Sequence, residues 1–580
     1  MEEEVKTTTI WNLYTIGKNY NNSVNLYTEG RENYNFYLGR QWEGLKKPVN
    51  QSDPITLNII KPIIKYKTNI VNQNSYAIVF NPNTYETIDE LESLKAITKG
   101  LNQFVMRMWE KSQSGKKVKN IVRNSAINSE GIMYFFNDGD MINSEEIDKN
   151  NIYYGNESEP NIQRQPYILV TFRKPVEEVK EMARKWKEEG KNKLKPSDIK
   201  TIVADKETLE QQGNDKMATE ISPMCLVVMK FKKNDKGTIS VSAATMTADI
   251  LDEQETECKL YPFAHYIWEE EKGYARGVSE VRSLIDNQIE INKTATRRAI
   301  SVKMTAFPKV AYDQERVQNP ESLDEVGGKI ELINVRADDI RKMVSYLNPA
   351  AMSPDAYNLQ QDLISGTREL AGAGDNATGN IDPTQASGKA ILAVQQASQM
   401  PINEQVDNYK YFLEDCANII FDIIKAYYVD GLTLYTTEEQ VNELGQTESY
   451  ETPFTISQKE LEEADVNLKV DITPQSPYDV YATVMTLENM LMKQIIDLEE
   501  FTAALPEDSP EPKAALESIL RKRRESRNQI AAMQEQANQL NSAINQAVIE
   551  QGGMIDGMSE MQNGGNESVM ANAGQNNLPM

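Results

Sequence analysis

Apolar residues recur at three- and four-residue spacing through much of the first 130 positions, with Ile59–Val71 and Leu91–Trp109 the clearest cases and Gly115 as punctuation. That spacing predicts helices with one buried face. From about 132 to 267 the pattern shortens. Tyr167–Phe172 (YILVTF), Leu226–Phe231 (LVVMKF) and Ile239–Ala244 read as strands, and Asn234-Asp235-Lys236-Gly237 reads as a hairpin turn between the last two. An amphipathic helix, Val176–Trp186, interrupts them with Val176, Val179, Ala183 and Trp186 on one face. The expected class is α+β, mainly helical.

After Gly277 a long helix is expected to about Met304, with a stripe at Val278, Val281, Ile285 and Ile289 that gives out halfway. Its second half, Asn292-Lys293-Thr294-Ala295-Thr296-Arg297-Arg298, is polar and basic, so the helix should pass from one packing environment into another. Residues 306–350 look compact and mixed. Ser353–Leu370 is helical again, followed by a glycine-rich loop, Ala371–Ile381. Three glycines there (Gly372, Gly374, Gly379) with Asp375, Asn376, Thr378 and Asn380 predict a mobile segment. Asp382-Pro383-Thr384-Gln385 resembles a capping box opening the next helix. Pro401 should kink that helix. Beyond it Ile402, Val406, Tyr409, Leu413, Cys416, Ile420, Ile423 and Tyr427 step by four and three without a miss. A core helix and an inter-subunit seam fit that stripe equally well.

Val429–Asp471 is rich in acid, Tyr and Thr, and helices are expected from Tyr478 to Ala504. Three prolines (506, 510, 512) then make a hinge-like break. Ala514–Glu550 reads as one helix carrying the run Arg521-Lys522-Arg523-Arg524. Four adjacent cations spread around a helix, so some should face a polyanion or an acidic neighbour. Residues 551–580 hold six Gly and five Asn and are expected to be disordered.

Composition narrows the chemistry. With 39% hydrophobic residues in 580, the chain has enough for a real core, and no apolar run is long enough to span a membrane. The start, MEEEVKTTTI, lacks a signal-peptide pattern, which predicts a soluble protein not secreted by that route. Three cysteines (Cys225, Cys258, Cys416) make no CxxC pair, which fits a reducing compartment. The single histidine, His265, leaves no His-rich metal site and reads as a core or interface imidazole. Neither a metal nor another cofactor is expected. Gly372-Ala373-Gly374-Asp375-Asn376-Ala377 matches the dinucleotide fingerprint by letter, yet a helix rather than a strand precedes it. Gly388-Lys389 lacks the upstream glycine of a phosphate loop, and Asp338-Asp339 has no placeable partner. No catalytic constellation results, and an enzyme is not expected.

Several strings, in order, resemble the portal proteins of tailed bacteriophages, particularly the family typified by the portal of a short-tailed Salmonella phage. Tyr34–Trp42 (YNFYLGRQW) is similar to an aromatic-Gly-x-Gln-Trp string near the start of many portals. Gln288-Ile289-Glu290-Ile291-Asn292 resembles the Gln-x-x-x-Asn signature of their stem helix. Ser387-Gly388-Lys389-Ala390-Ile391, with Gln395-Gln396, is similar to the string opening their long helix after the channel loop.

The resemblance implies a ring, usually dodecameric, at one capsid vertex of the virion, with double-stranded genomic DNA passing along its axis during packaging and ejection. It implies assembly in the host cytoplasm, and contacts with capsid and scaffolding proteins, the terminase large subunit, and adaptor or tail proteins. Residues 1–275 and 387–505 would form a wing, the latter helical. The stem would be 276–305 and 351–371, the clip 306–350, the channel loop 372–386, the crown 506–550 and the tail 551–580. Stem residues Gln288, Asn292, Lys293, Arg297, Arg298 and Lys303, the channel loop, and the crown cations 521–524 are the expected working residues. The formal charge, 62 Lys+Arg against 87 Asp+Glu or −25, is compatible with a conduit along which DNA slides, and equally with solubility alone. A scaffold-like or minor capsid protein is the alternative, and a nucleotide-binding enzyme using Gly372–Ala377 a remote one.

Overall fold

The computed structural model describes residues 8–44, 53–73, 75–82, 88–139, 141–205, 223–306, 309–323, 329–333, 336, 344–347, 353–374, 400–428, 432–441, 447–456, 466–473, 477–493, 495–505 and scattered positions from 515 to 542. The chain divides into two compact units, Met1–Pro474 and Gln475–Met580.

The first unit opens with helices α1 (Thr9–Ser23), α2 (Leu26–Leu38), α3 (Ile60–Gln73), α4 (Ile88–Lys111) and α5 (Ser114–Asn128), with strand β1 (Ser75–Pro82) between α3 and α4. Two antiparallel sheets follow. The smaller has the order β3-β2-β9, with β2 Glu130–Asn137, β3 Ile142–Ile147 and β9 Phe263–Ile267. The larger runs β4-β5-β6-β7-β8, from β4 (Ile152–Tyr154) through β5 (Tyr167–Pro175), β6 (Met224–Lys233) and β7 (Ile239–Ala244) to β8 (Asp249–Glu255).

The larger sheet explains its own sequence. Alternate residues of a strand point to opposite faces, and here both faces are covered. Leu226 and Val228 pack with Trp11 and Tyr14 of α1. Cys225 and Val227 pack under α6 (Val176–Glu188) through Val176, Val179 and Ala183. Farther along that second face, Phe231 joins Ile132 and Phe263 of the smaller sheet. Strands buried on both faces read as unbroken apolar runs, as YILVTF and LVVMKF do. The expected turn is present: Gly237, at φ +84°, donates to Asn234 O at 2.9 Å between β6 and β7.

Two short elements, α7 (Pro196–Lys200) and the pair β10 (Glu269–Glu271) with β11 (Tyr274–Val278), precede the long helix α8 (Glu280–Ala306). The helix therefore starts three residues later than Gly277 suggested, and Val278 belongs to a strand. Gly277 sits at φ +65°, where an added Cβ would lie 2.4 Å from Ile267 Cγ2 and 2.5 Å from Glu269 O. Only glycine fits there.

Past α8, β12 (Lys309–Tyr312) pairs with β13 (Val344–Leu347), and α9 (Asp355–Leu370) follows. The main core gathers α3, α5, β2, the start of α8 and α10 (Asn403–Tyr427). Of the heptad stripe, Ile402, Tyr409, Leu413, Cys416, Ile420 and Ile423 are buried in that core, so this face packs within its own subunit. Tyr427, at its end, is 50% exposed. A 3₁₀ turn spans Met400–Ile402 at Pro401, and residues 381–399, including the expected cap at Asp382, lie outside the described residues.

The stretch 387–505 corrects the expectation of helices alone. It holds β14 (Leu432–Val441) and β15 (Thr447–Ile456), paired as a hairpin, and β16 (Val466–Thr473), which pairs with β1 from Ser75↔Thr473 to Pro82↔Val466. Its Thr-rich alternation was obscured by charge. The second unit contains α11 (Pro477–Met492) and α12 (Leu498–Ala504), joined through Val484, Phe501 and Leu505.

Candidate DNA-channel hairpin and its anchors

Helices α8 and α9 run side by side in opposite directions. Arg298, late in α8, stacks its guanidinium 4.7 Å from the Tyr357 ring and hydrogen-bonds Gln360, both early in α9. At the other end, Ala371 and Ala373 return to the same core as Val281 and Ile285. The β12–β13 pair lies in the connection between the two helices.

The point where α8 loses its apolar stripe is where it gains a polar one. Gln288, Asn292 and Thr296, spaced one turn apart, are all buried. They face an extended segment, residues 55–59, whose backbone groups have no sheet partner. Ile59 N–H donates to Gln288 Oε1 at 3.0 Å, Leu57 N–H to Asn292 Oδ1 at 2.9 Å, and Ile55 N–H to Thr296 Oγ1 at 3.0 Å. Gln288 Nε2 returns a bond to Leu57 O at 2.7 Å. The side chains replace the neighbouring strand that such backbone would otherwise need.

The second string from the sequence meets the same place. Gly39 closes α2 at φ +90°, and Gln41 beyond it donates to Phe36 O at 2.9 Å. Gln41 Oε1 accepts from Asn292 Nδ2 at 2.5 Å, and Trp42 Nε1 donates to Ile55 O at 3.3 Å. The Gln-Trp and Gln-x-x-x-Asn strings form one anchor.

The cations of α8 divide. Lys293 and Arg297 lie 3.8 and 3.6 Å from Glu290, half or more exposed at Arg297, while Lys303 is exposed near the helix end. The root of α8 is held by a buried ionic cluster that sequence reasoning missed. Arg276, 1% exposed, bonds Glu130 at 2.8 Å, grips both oxygens of Glu157, and donates to the carbonyls of Lys149 and Ile152. Glu130 also takes His265 Nε2 at 2.7 Å and the Tyr154 hydroxyl at 3.0 Å. Burial alone would push the Glu130 carboxyl up, but Arg276 and His265 together hold it below the ordinary range. His265 is thus a core residue, as one reading of the sequence had it. An arginine beside Gly277 gave no periodic signal; only the folded chain brings its acids to it.

The glycine-rich loop is partly corrected. At its start the chain is packed: Ala371 and Ala373 are buried. Gly372, at φ +66°, donates to Glu369 O at 2.9 Å, and Ala373 N–H reaches Arg368 O at 2.8 Å. This is a Schellman helix stop. Gly372 ends a helix instead of cradling a phosphate, and mobility does not begin there. Asp375, Asn376, Thr378, Gly379 and Asn380 lie outside the described residues, as does the Ser387–Ile391 string. In the second unit Arg521, Lys522 and Arg523 are helical and exposed, while Arg524 lies outside the described residues.

Residues 18–564 match the family model for the phage P22-like portal protein. The chain belongs to the phage P22-like portal protein family. No curated protein matches it. This portal protein is a structural component, and its mainly helical α+β architecture agrees with the class expected from sequence. The anchor of Gln41, Trp42, Gln288 and Asn292 lies inside the matched range. Among the described residues, no group of three His, Cys, Asp or Glu side chains could hold a metal ion, and no helix is long and apolar enough to cross a membrane.

Proposed function

We propose that copies of this portal protein close into a ring, of the dodecameric kind usual in the family, around an axial channel for double-stranded genomic DNA at one capsid vertex. The family match over 18–564 carries this reading. The α8–α9 hairpin supports a stem, and the β12–β13 pair in its connection supports a clip within 306–350.

The hairpin also exposes apolar surface that a lone chain has no use for: Val302 at 67%, Leu359 at 51% and Leu370 at 84%. Neighbouring copies would cover it. The wing would then comprise 1–275 together with 387–505, strands included, and the crown 506–550. Scaffolding and major capsid proteins would meet the ring during assembly in the host cytoplasm. The terminase large subunit and adaptor or tail proteins would dock afterwards.

DNA would slide past the loop 372–386, whose polar residues include no cation to fix a phosphate. The cluster Arg521–Arg524 would face a polyanion or an acidic neighbour. Electron microscopy of the purified protein tests the ring: closed rings are expected, and particles that stay monomeric or dimeric at assembly concentrations would refute it. Replacing Arg521–Arg524 by Gln is expected to impair assembly or DNA retention at physiological salt.

A further inference from the structure

The α6–α7 element stands outside the hairpin and its anchors. Its core stripe is Val176, Val179 and Ala183. One position further round the helix, Glu177, Lys180, Arg184 and Lys187 repeat the same spacing, so they line a neighbouring face. That face forms one wall of a cleft of about 660 Å³, with Pro196, Ile199 and Lys200 of α7 opposite. Clefts of roughly 300–1,000 Å³ are the size that encloses a small ligand or a few peptide residues.

The cleft is rigidly built. Gly190, at φ +74°, closes α6, and Lys191 N–H caps Trp186 O at 2.7 Å. Buried Asn192 donates from Nδ2 to both Ala183 O and Ile250 O at 2.9 Å, which fixes the turn to β8. Thr247 Oγ1 donates to Thr201 O at 3.0 Å and ties the end of α7 to the turn before β8. A preformed site loses little entropy on binding.

Its charge is opposite to that of the whole chain. Four cations, Lys180, Arg184, Lys187 and Lys200, line it against two acids, Glu177 and Glu188. Glu177 is engaged with Lys180 at 3.0 Å, and among the described residues Arg184, Lys187 and Lys200 make no ion pair. We propose that this cleft docks an acidic peptide segment of a partner protein. Carboxylates reach Arg184, Lys187 and Lys200, and an apolar side chain rests on Pro196 and Ile199. A peptide suits the cleft better than nucleic acid. A duplex is a rigid rod too wide to enter, and Glu177 and Glu188 at the wall repel a continuous phosphate backbone, whereas a peptide can place its carboxylates selectively. The proposal does not depend on ring closure.

The test uses the full chain and a fluorescein-labelled peptide of alternating Glu and Leu, followed by anisotropy. Binding is expected, with affinity falling as NaCl rises from about 50 to about 300 mM. The triple variant Arg184→Glu, Lys187→Glu, Lys200→Glu should bind at least about tenfold more weakly. A matched variant outside the cleft, Lys185→Glu, Lys193→Glu, Lys195→Glu, should bind like the parent chain. Circular dichroism establishes that both variants are folded. Equal affinity for the parent and the cleft variant, equal loss in the matched variant, or equal binding of a Gln–Leu peptide would each overturn the proposal. So would displacement of the peptide by a single-stranded oligonucleotide at lower concentration, which would point to nucleic acid instead.

Discussion

The side-chain amides of Gln41 and Asn292 meet at 2.5 Å although 251 residues separate them. Asn292 is satisfied on three sides, since its Oδ1 also accepts from Leu57 N–H and from Gln288 Nε2 at 3.0 Å. The amide contacts with Gln41 and Gln288 are buried and that with Leu57 N–H is part-buried, so deletion of the amide leaves Gln41 Oε1 and Leu57 N–H without this partner.

Asn292→Ala is therefore expected to destabilise the junction of α8 with segment 55–59 by about 1–3 kcal/mol. Amide hydrogen exchange reads this locally. The Leu57 N–H should exchange about tenfold faster or more, and the effect of Gln41→Ala should be largely contained within that of Asn292→Ala. Unchanged exchange at Leu57 would show that the anchor is incidental.

At the root of α8, Arg276→Met removes the charge between Glu130 and Glu157 and leaves two acids facing each other inside the protein. A loss of about 3–5 kcal/mol is expected. Adding Glu130→Gln should recover part of it, because the remaining charge imbalance falls. Glu130, whose carboxyl is held low in the folded chain, contributes stability above its unfolded pKa. That contribution is lost as pH falls through the lower folded value, below the usual glutamate range. Urea midpoints of the single and double variants decide the matter, and a double variant no better than the single one would contradict the charge argument.

Asp148 behaves in the opposite sense. Burial pushes its carboxyl up to about 6, against the pull of the Asn150 amide and Lys149. Between the unfolded value and about 6 the folded chain holds a proton that the unfolded chain has released. Acidification through that window stabilises, and at pH above about 7 the charged form is a liability. Asp148→Asn keeps the oxygen that accepts from Asn150 N–H at 2.9 Å. It should therefore be more stable than the parent near neutrality, by on the order of 2 kcal/mol, with the gap closing near pH 4. A gap that stays constant across this range would remove the titration from the explanation.

Gly372 and Gly374 are expected to differ. Gly372→Ala forces a side chain to φ +66° and brings its Cβ to 3.4 Å from Pro401, costing about 1–2 kcal/mol at the end of α9. Gly374 has no positive φ and an ordinary 3.5 Å neighbour in Glu369 Cγ, so Gly374→Ala should be tolerated. Deletion of 374–379 leaves the helix stop intact. It should permit assembly yet impair packaging or genome retention, and normal packaging and retention by that deletion would end the channel assignment for the loop.

Local order was legible wherever one periodicity dominated. The two-faced strands of the larger sheet, the α6 stripe and the α10 heptads each carry enough apolar repetition to announce an element and its buried side. The strings at 34–42 and 288–292 announced the family through order and spacing, but not that they touch. Strands β14 to β16 were missed because Glu and Thr dilute the alternation, and β16 is paired with β1, almost 400 residues earlier.

By itself the sequence determined which segments can be helix or strand, since steric periodicity and side-chain hydrophobicity act over a few residues. It also confined any His-based set to His265 and left no CxxC pair, because those residues are so few in the composition. Tertiary structure alone decided that the polar half of α8 faces backbone instead of water, that Arg276 finds Glu130 and Glu157, and that Gly372 ends a helix. Each depends on a partner from a distant element or on a backbone angle. A hydrogen-bonding side chain looks the same in a sequence whether its partner is solvent or a peptide group more than two hundred residues away.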